Sequence, residues 1–177
     1  MYLWKRDPQL IERRLQSTEK FREQRLLMRV LKPVFVAAFV LPGLDYRFGW
    51  SRRYLRGVPL WLVLACQAVF LGGLLLVFWV MKVNSFASRT IQVEAGQKVI
   101  SSGPYGLVRH PMYSGSLLMW LATPLALGSY FAWPAFALLI PFYMFRLLNE
   151  EKVLRRELPG YPEYCNHTRY RLVPRVW

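Results

Sequence analysis

The sequence predicts an all-α polytopic membrane protein with about four spans, the first one short. Three observations lead there. Val58 to Met81 is a 24-residue run without a charge. A second apolar territory, Met112 to Phe145, is broken near its middle by "GSY" and carries three prolines. Finally, the 24 basic residues cluster between the apolar blocks rather than scatter through them.

Before the first apolar block, Asp7 to Arg29 reads as a helix of mixed charge with an apolar stripe at Leu10, Leu15, Leu26, Leu27 and Val30. Asp7-Pro8 suits an N-cap followed by proline at the first helical position. The expected element is an amphipathic helix lying on the membrane surface. Pro33 to Leu44 comes next and is short for a crossing, unless Val30, Leu31 and the Tyr46–Trp50 region lengthen it; a re-entrant or interfacial segment is the competing reading. Asp45 to Gly57 then forms a charged, aromatic turn on the far side.

Val58 to Met81 reaches ~36 Å as a helix at ~1.5 Å per residue, enough for a hydrocarbon core of ~30 Å. Lys82 to Arg109 is irregular and half polar. Met112 to Gly128 and Tyr130 to Phe145 read as a helical hairpin of two spans. Arg146 to Leu158 continues the last of them as helix, Pro159-Gly160 breaks it, and an aromatic, basic tail follows.

The net charge of +14 points to a membrane rather than to nucleic acid. Nine basic residues lie between Lys5 and Lys32, four between Arg47 and Arg56, four between Lys82 and Arg109, and seven between Arg146 and Arg175. With four spans and an N-terminus inside, only the group at Arg47–Arg56 faces away from the cytoplasm, which satisfies the positive-inside rule. Basic residues beside a bilayer also attract anionic headgroups. The bilayer is thus the expected partner, and oligomeric state is left open. Cys66 and Cys165 make neither a disulfide framework nor a metal site. The charged N-terminus and late first apolar run do not read as a cleavable leader. Asn166-His167-Thr168 fits a glycosylation sequon but falls on the cytoplasmic side.

Two places carry chemistry. Pro111 suits the first position of a helix, and His110 before it is pushed to an extended conformation. The third span then begins with unpaired N–H groups and a positive dipole end, suited to a carboxylate or phosphate. Arg146, Glu150 and Glu151 stand where the fourth span leaves the membrane, Arg146 and Glu150 on one helical face. Taken singly, Arg109 and His110 read as interfacial anchors and Arg146 as a snorkelling arginine with a surface pair. Ionisable groups at membrane depth tend to be functional, however, and a hairpin brings both constellations to one face.

The stretches "GPYGLVRHPMYSG", "FRLLNEEKVL" and "LPGYPEYCNHTRYRLVP" resemble the membrane-embedded methyltransferases. These comprise isoprenylcysteine carboxyl methyltransferases, phosphatidylethanolamine N-methyltransferases and bacterial relatives. "PGLDYRFGWS" and "FASRTIQVEAGQKVISSGPY" resemble the bacterial branch. The likeness runs from about Gly43 onward; the extra N-terminal spans of many relatives are lacking, and the first residues look like a loop that would follow them. On this resemblance, residues 1–177 form a single membrane methyltransferase-like domain. Residues 1–32 are its cytoplasmic amphipathic helix, 33–81 its first two spans and 82–177 its cofactor-binding core.

The resemblance implies an S-adenosylmethionine site facing the cytoplasm of a bacterial inner membrane. It assigns Gln92, Gln97, Lys98, Val99, Ile100, Tyr105, His110, Pro111, Met112, Tyr113 and Glu150 to the cofactor, and Arg146 to orienting the acceptor, with Arg146 and Glu150 as the catalytic pair and no metal. His110 suits the α-carboxylate, Glu150 the positive charge, Tyr105 or Tyr113 the sulfonium through an aromatic face, and the backbone of Lys98 to Ile100 the adenosine. The implied acceptor is lipophilic or small: a carboxylate, thiol, amine or quinone-like phenol. Two other readings stand beside this one. Membrane sterol reductases share a similar C-terminal half with a His-Pro-x-Tyr stretch and use NADPH, though a 2′-phosphate wants extra basic residues. A non-catalytic scaffold gives no reason for His110, Tyr113, Arg146 and Glu150 to converge.

Overall fold

The computed structural model describes residues 8–15, 22–87, 91–94 and 96–177. Every regular element among them is helical. In order these are α1 (Pro8–Leu15), α2 (Arg22–Phe48), α3 (Trp50–Leu55), α4 (Leu60–Val83), α5 (Pro111–Ala126), α6 (Trp133–Ala137), α7 (Leu139–Glu157) and α8 (Tyr161–His167), with a 3₁₀ turn at Gly103–Gly106. Asp7 and segment 16–21 lie outside the described residues, so the expected N-cap and the continuity of the first amphipathic helix do too.

Among the described residues, two helices are long and apolar enough to cross a membrane: α2 over Arg25–Phe48 and α4 over Leu60–Val83, each 24 residues. The first apolar segment is therefore longer than the sequence suggested. Residues on both sides of Pro33–Leu44 continue the helix, and Pro33 and Pro42 lie inside it rather than ending it. Each interior proline forfeits one backbone hydrogen bond, which packing must offset. α4 is apolar around its whole circumference, and Leu60, Trp61, Leu64, Leu71, Leu75 and Trp79 stand exposed along it. A helix of that kind faces lipid.

The expected hairpin is built of shorter pieces. α5 has 16 residues, ~24 Å of helix, with Pro124 inside it and Gly128 in the left-handed region (φ 75°) just beyond its end. α7 carries the last apolar stretch directly into the charged run Arg146–Glu157.

The chain forms two compact units. The first comprises residues 1–26, 76–114 and 145–177, the second 27–75 and 115–144. In the second unit Leu31 and Ala38 of α2 pack against Phe136 and Leu139, with Phe35 edge-on to Trp120. α4 and α5 approach closely there: a Cβ added at Gly73 would stand 2.7 Å from the Gly115 carbonyl oxygen and 2.8 Å from Met119 Cγ. Small residues permit such contact between helices in lipid.

The same unit holds a buried polar knot. Asp45 accepts from the Ser51 N–H (2.7 Å), the Ser51 hydroxyl (2.5 Å) and the Ser129 hydroxyl (2.5 Å). Ser51 Oγ accepts in turn from Tyr130 N–H, and Ser129 Oγ from Ala132 N–H. α3 closes with Gly57 N–H bonding the Ser51 carbonyl (2.8 Å), which puts Arg56 in the left-handed region at φ 61°. Glycine is the usual residue at such a helix end, and a side chain there costs about 1–2 kcal/mol.

Candidate functional site

The first unit contains every sequence-predicted site residue. Its centre is the junction before α5. His110 extends into Pro111, as a residue preceding proline must, and its ring stands edge-on to Tyr113 with centroids 5.8 Å apart. Tyr113, one helical turn on, donates its hydroxyl to Glu150 Oε2 at 2.6 Å. His110, Tyr113 and Glu150 thus form one connected group drawn from two helices.

The junction is fixed by the tail. Arg109 N–H donates to the Tyr170 carbonyl (2.8 Å), His110 N–H to the Arg171 carbonyl (2.9 Å), and the Ser114 hydroxyl to the Leu172 carbonyl (2.7 Å). Beneath these contacts lies Glu151, 3% exposed. Its carboxylate meets Arg109 (3.1 Å), Arg155 (3.0 Å) and Arg171 (2.6 Å). Burial alone would raise the Glu151 pKa, but the Arg171 hydrogen bond, the Arg109 charge and the Arg155 hydrogen bond outweigh it and hold the carboxyl below its usual value.

His110 is 4% exposed, and its pKa falls below the ordinary imidazole value. Burial is the main cause; Glu150 and Glu151 pull upward, while Arg109 and Arg171 add to the depression. The ring is therefore neutral near pH 7 and offers one donor and one acceptor. Its Nε2 is buried without a hydrogen-bond partner in the protein, as are Asn149 Nδ2 on α7 and the Tyr161 hydroxyl on α8. Buried polar atoms are seldom left unpaired; His110 and Tyr161 both feel the Glu150 and Glu151 charges, and Asn149 precedes Glu150 on α7.

The start of α5 differs from expectation. Tyr113 and Ser114 N–H groups both return to the His110 carbonyl (3.0 and 3.2 Å), and His110 N–H is taken by the tail. The chain satisfies these amides itself because His110 acts as the cap. Recognition of charge at this point falls to side chains. Pro111 is fully buried and Met112 half-buried.

Arg146, four residues before Glu150, is 7% exposed, so it is not a snorkelling surface arginine. The remaining predicted residues form two other groups. Gln92 hydrogen-bonds Glu94, whose N–H donates to Gln97 Oε1 (2.9 Å), closing a turn with Gly96 at φ 76°. Lys98 is exposed and Ile100 half-buried. Val99 and Tyr105 pack on the cluster of Leu158, Tyr161, Tyr164 and Cys165. Tyr105 accepts from Asn84 at its hydroxyl (2.8 Å) and from the Tyr164 hydroxyl at its carbonyl (2.7 Å).

Sequence reasoning missed Asn149, Tyr161, Arg171 and the role of Glu151. Burial raises the Tyr161 pKa, followed by the nearby Cys165, Glu151 and Glu150, and keeps the phenol neutral. Asn149 could have been found as a polar residue on the same α7 turn as Arg146 and Glu150; the tail contacts have no local pattern.

Comparison with known proteins places the chain. The mouse (Mus musculus) Delta(14)-sterol reductase TM7SF2 is 35% identical over 94 residues, which are 50% of this chain and 22% of the reductase. The solved structure of the eukaryotic intramembrane Ras methyltransferase ICMT (isoprenylcysteine carboxyl methyltransferase) matches with a TM-score of 0.64 at 20% identity, over 84% of this chain and 53% of that one. The chain thus spans about a fifth of the curated relative and about half of the solved structure, with which it shares its fold. The model of the phospholipid methyltransferase family matches residues 61–159, more than half of the sequence. The chain is a membrane protein and belongs to the phospholipid methyltransferase family.

Proposed function

We propose that the protein is an S-adenosylmethionine-dependent methyltransferase working at the cytoplasmic face of a bacterial inner membrane. Its acceptor is small or lipophilic and carries a carboxylate, thiol or amine. The observation that carries this reading is the pair of buried, unpartnered polar atoms His110 Nε2 and the Tyr161 hydroxyl, on residues that both feel the Glu150 and Glu151 charges. Such a set suits a zwitterionic, cationic ligand: neutral donors for its carboxylate, an acidic group for its positive charge.

When bound, S-adenosylmethionine would supply an electrophilic methyl group, carried on a sulfonium, for transfer to an acceptor lone pair. The protein's part is alignment and exclusion of water, which together can supply ~7–11 kcal/mol. His110, held neutral by burial, directs Nε2 at an anionic group of the cofactor. The Tyr113 hydroxyl fixes the Glu150 carboxylate at 2.6 Å, so that its charge stands ready for the cationic end. Tyr105 or Tyr113 offers an aromatic face to the sulfonium. Gln92 and Gln97, joined through Glu94, and the Lys98–Ile100 backbone bracket the adenosine. Arg146 orients an anionic acceptor, as a planar guanidinium does well. A carboxylate or thiolate acceptor needs no proton removed.

The likeness to a sterol reductase keeps an NADPH-dependent reductase as the second reading. Thermal shift of the detergent-solubilised protein separates the two. Stabilisation by S-adenosylhomocysteine and not by NADPH is expected, and His110→Ala and Glu150→Ala each remove it. Arg146→Ala retains it but loses acceptor turnover. Stabilisation by NADPH alone overturns the proposal, and a response to neither ligand points to a scaffold.

A further inference from the structure

The second unit carries a cavity that the methyl-transfer reading does not use. It measures about 660 Å³ and is lined by Asp45, Gly49, Arg52, Arg56, Gly57 and Gly128 among others. That size falls within the range of small-molecule sites, about 300–1,000 Å³. α2 and α4 are both long enough to cross a membrane, so residues 49–59, which join them, lie at a membrane surface. Phospholipid headgroups occupy that level.

The lining suits a phosphate. Arg52 and Arg56 are the two basic residues of its lining. Arg52 is steadied by its neighbours: its stem lies 3.5 Å from where a Gly57 Cβ would stand, and its guanidinium sits 5.7 Å from the centre of the Tyr46 ring. Gly49 and Gly128 have open space where a side chain would project, which leaves backbone free to approach a ligand. Asp45, the acidic member of the lining, already accepts from Ser51 and Ser129 at both oxygens. Tyr46 of the lining and Phe48, Tyr54, Leu55, Leu60 and Trp61 in the same stretch of chain are all at least half exposed, and aromatic and apolar residues of this kind mark the headgroup–acyl boundary. A soluble anion would have no use for that rim.

We propose that this cavity binds the phosphate of an anionic membrane phospholipid, held by Arg52 and Arg56 while its acyl chains lie on the exposed apolar rim. The assignment is independent of the methyl-transfer reading. Arg56 makes it unusually testable. This residue sits at φ 61°, where glycine is unstrained, so Arg56→Gly removes the charge without harming the fold.

The experiment uses the full chain in neutral detergent with dioleoyl phosphatidylglycerol as probe, bound lipid being counted by native mass spectrometry. Saturable binding of phosphatidylglycerol over phosphatidylcholine is expected, weakening with salt. Arg52→Ala with Arg56→Gly should weaken it about 30-fold, at roughly a fivefold loss per basic residue. Arg47→Ala with Arg53→Ala changes net charge equally on the same segment but touches no lining residue, and should leave binding within a few-fold. Equal loss in both pairs reduces the effect to diffuse surface charge and overturns the site. Inorganic phosphate that competes at millimolar concentration overturns the lipid assignment in favour of a soluble anion. A lower melting temperature for Arg56→Gly alone makes Arg56 a structural residue and removes it from the proposal.

Discussion

Replacing Glu151 by glutamine should unfold the first unit more readily than any other single change to its charged residues. The carboxylate is 3% exposed and holds three arginines. Of these, the Arg109 side chain is 6% exposed, Arg171 29% and Arg155 45%. Glutamine keeps the shape but leaves Arg109 buried and unpaired, which costs about 3–5 kcal/mol. Arg155→Ala removes only a half-exposed partner and should cost about 0.2–1 kcal/mol. Arg171→Ala belongs between them, and combining it with Glu151→Gln should cost less than the two separate losses added together, because both break one network. Equilibrium unfolding of the detergent-solubilised protein, followed by tryptophan fluorescence, gives the order. A loss below about 1 kcal/mol for Glu151→Gln, or equal losses for Glu151→Gln and Arg155→Ala, would refute the reasoning.

Gly73→Ala should destabilise by about 1–3 kcal/mol through overpacking against Gly115 and Met119, whereas Gly72→Ala, with open space at its Cβ, should be neutral or gain up to about 1 kcal/mol from helix propensity; thermal melts of the pair decide this. Stability should fall in acid. The Glu151 contribution is full above its unfolded value of 4.5 and is lost as pH drops through its lower folded pKa, while His110, depressed from 6.5, adds a loss that begins below that value; melting temperature measured from pH 8 to pH 4 reports both. Tyr113→Phe should keep the fold but free Glu150, weakening S-adenosylhomocysteine binding roughly 10- to 150-fold by calorimetry, the worth of one hydrogen bond to a charged group, about 1.5–3 kcal/mol.

Much of the architecture follows from composition. An uncharged 24-residue run has few alternatives to a span, and α4 begins and ends within two residues of the apolar block. The start of α5 at Pro111 follows from the chemistry of proline. Helix α2 was harder to delimit, because Pro33 and Pro42 are ordinary stop signals, and only packing of Leu31 and Ala38 on Phe136 and Leu139 carries the helix through them. Within the site, Tyr113 and Glu150 meet because each lies one turn from the junction of its helix with polar sequence. Glu151 was read as half of an acidic pair; its partners Arg109 and Arg171 come from segments with no periodic relation to it, and Arg171 sits in a tail whose pattern showed only aromatic and basic character.

The pairing of Arg109 and His110 with the backbone of Tyr170 and Arg171 also sets an order of events. On a ribosome, residues 109 and 110 emerge some sixty positions ahead of the carbonyls that hold them. Until those carbonyls arrive, the backbone at Arg109 and His110 is not held and Glu151 lacks one of its arginines. Helices α2 and α4 can enter the bilayer early, on hydrophobicity alone, whereas the contacts that hold the His110 junction must wait for the tail. The junction before α5 is thereby set only once residues 170 and 171 have been made.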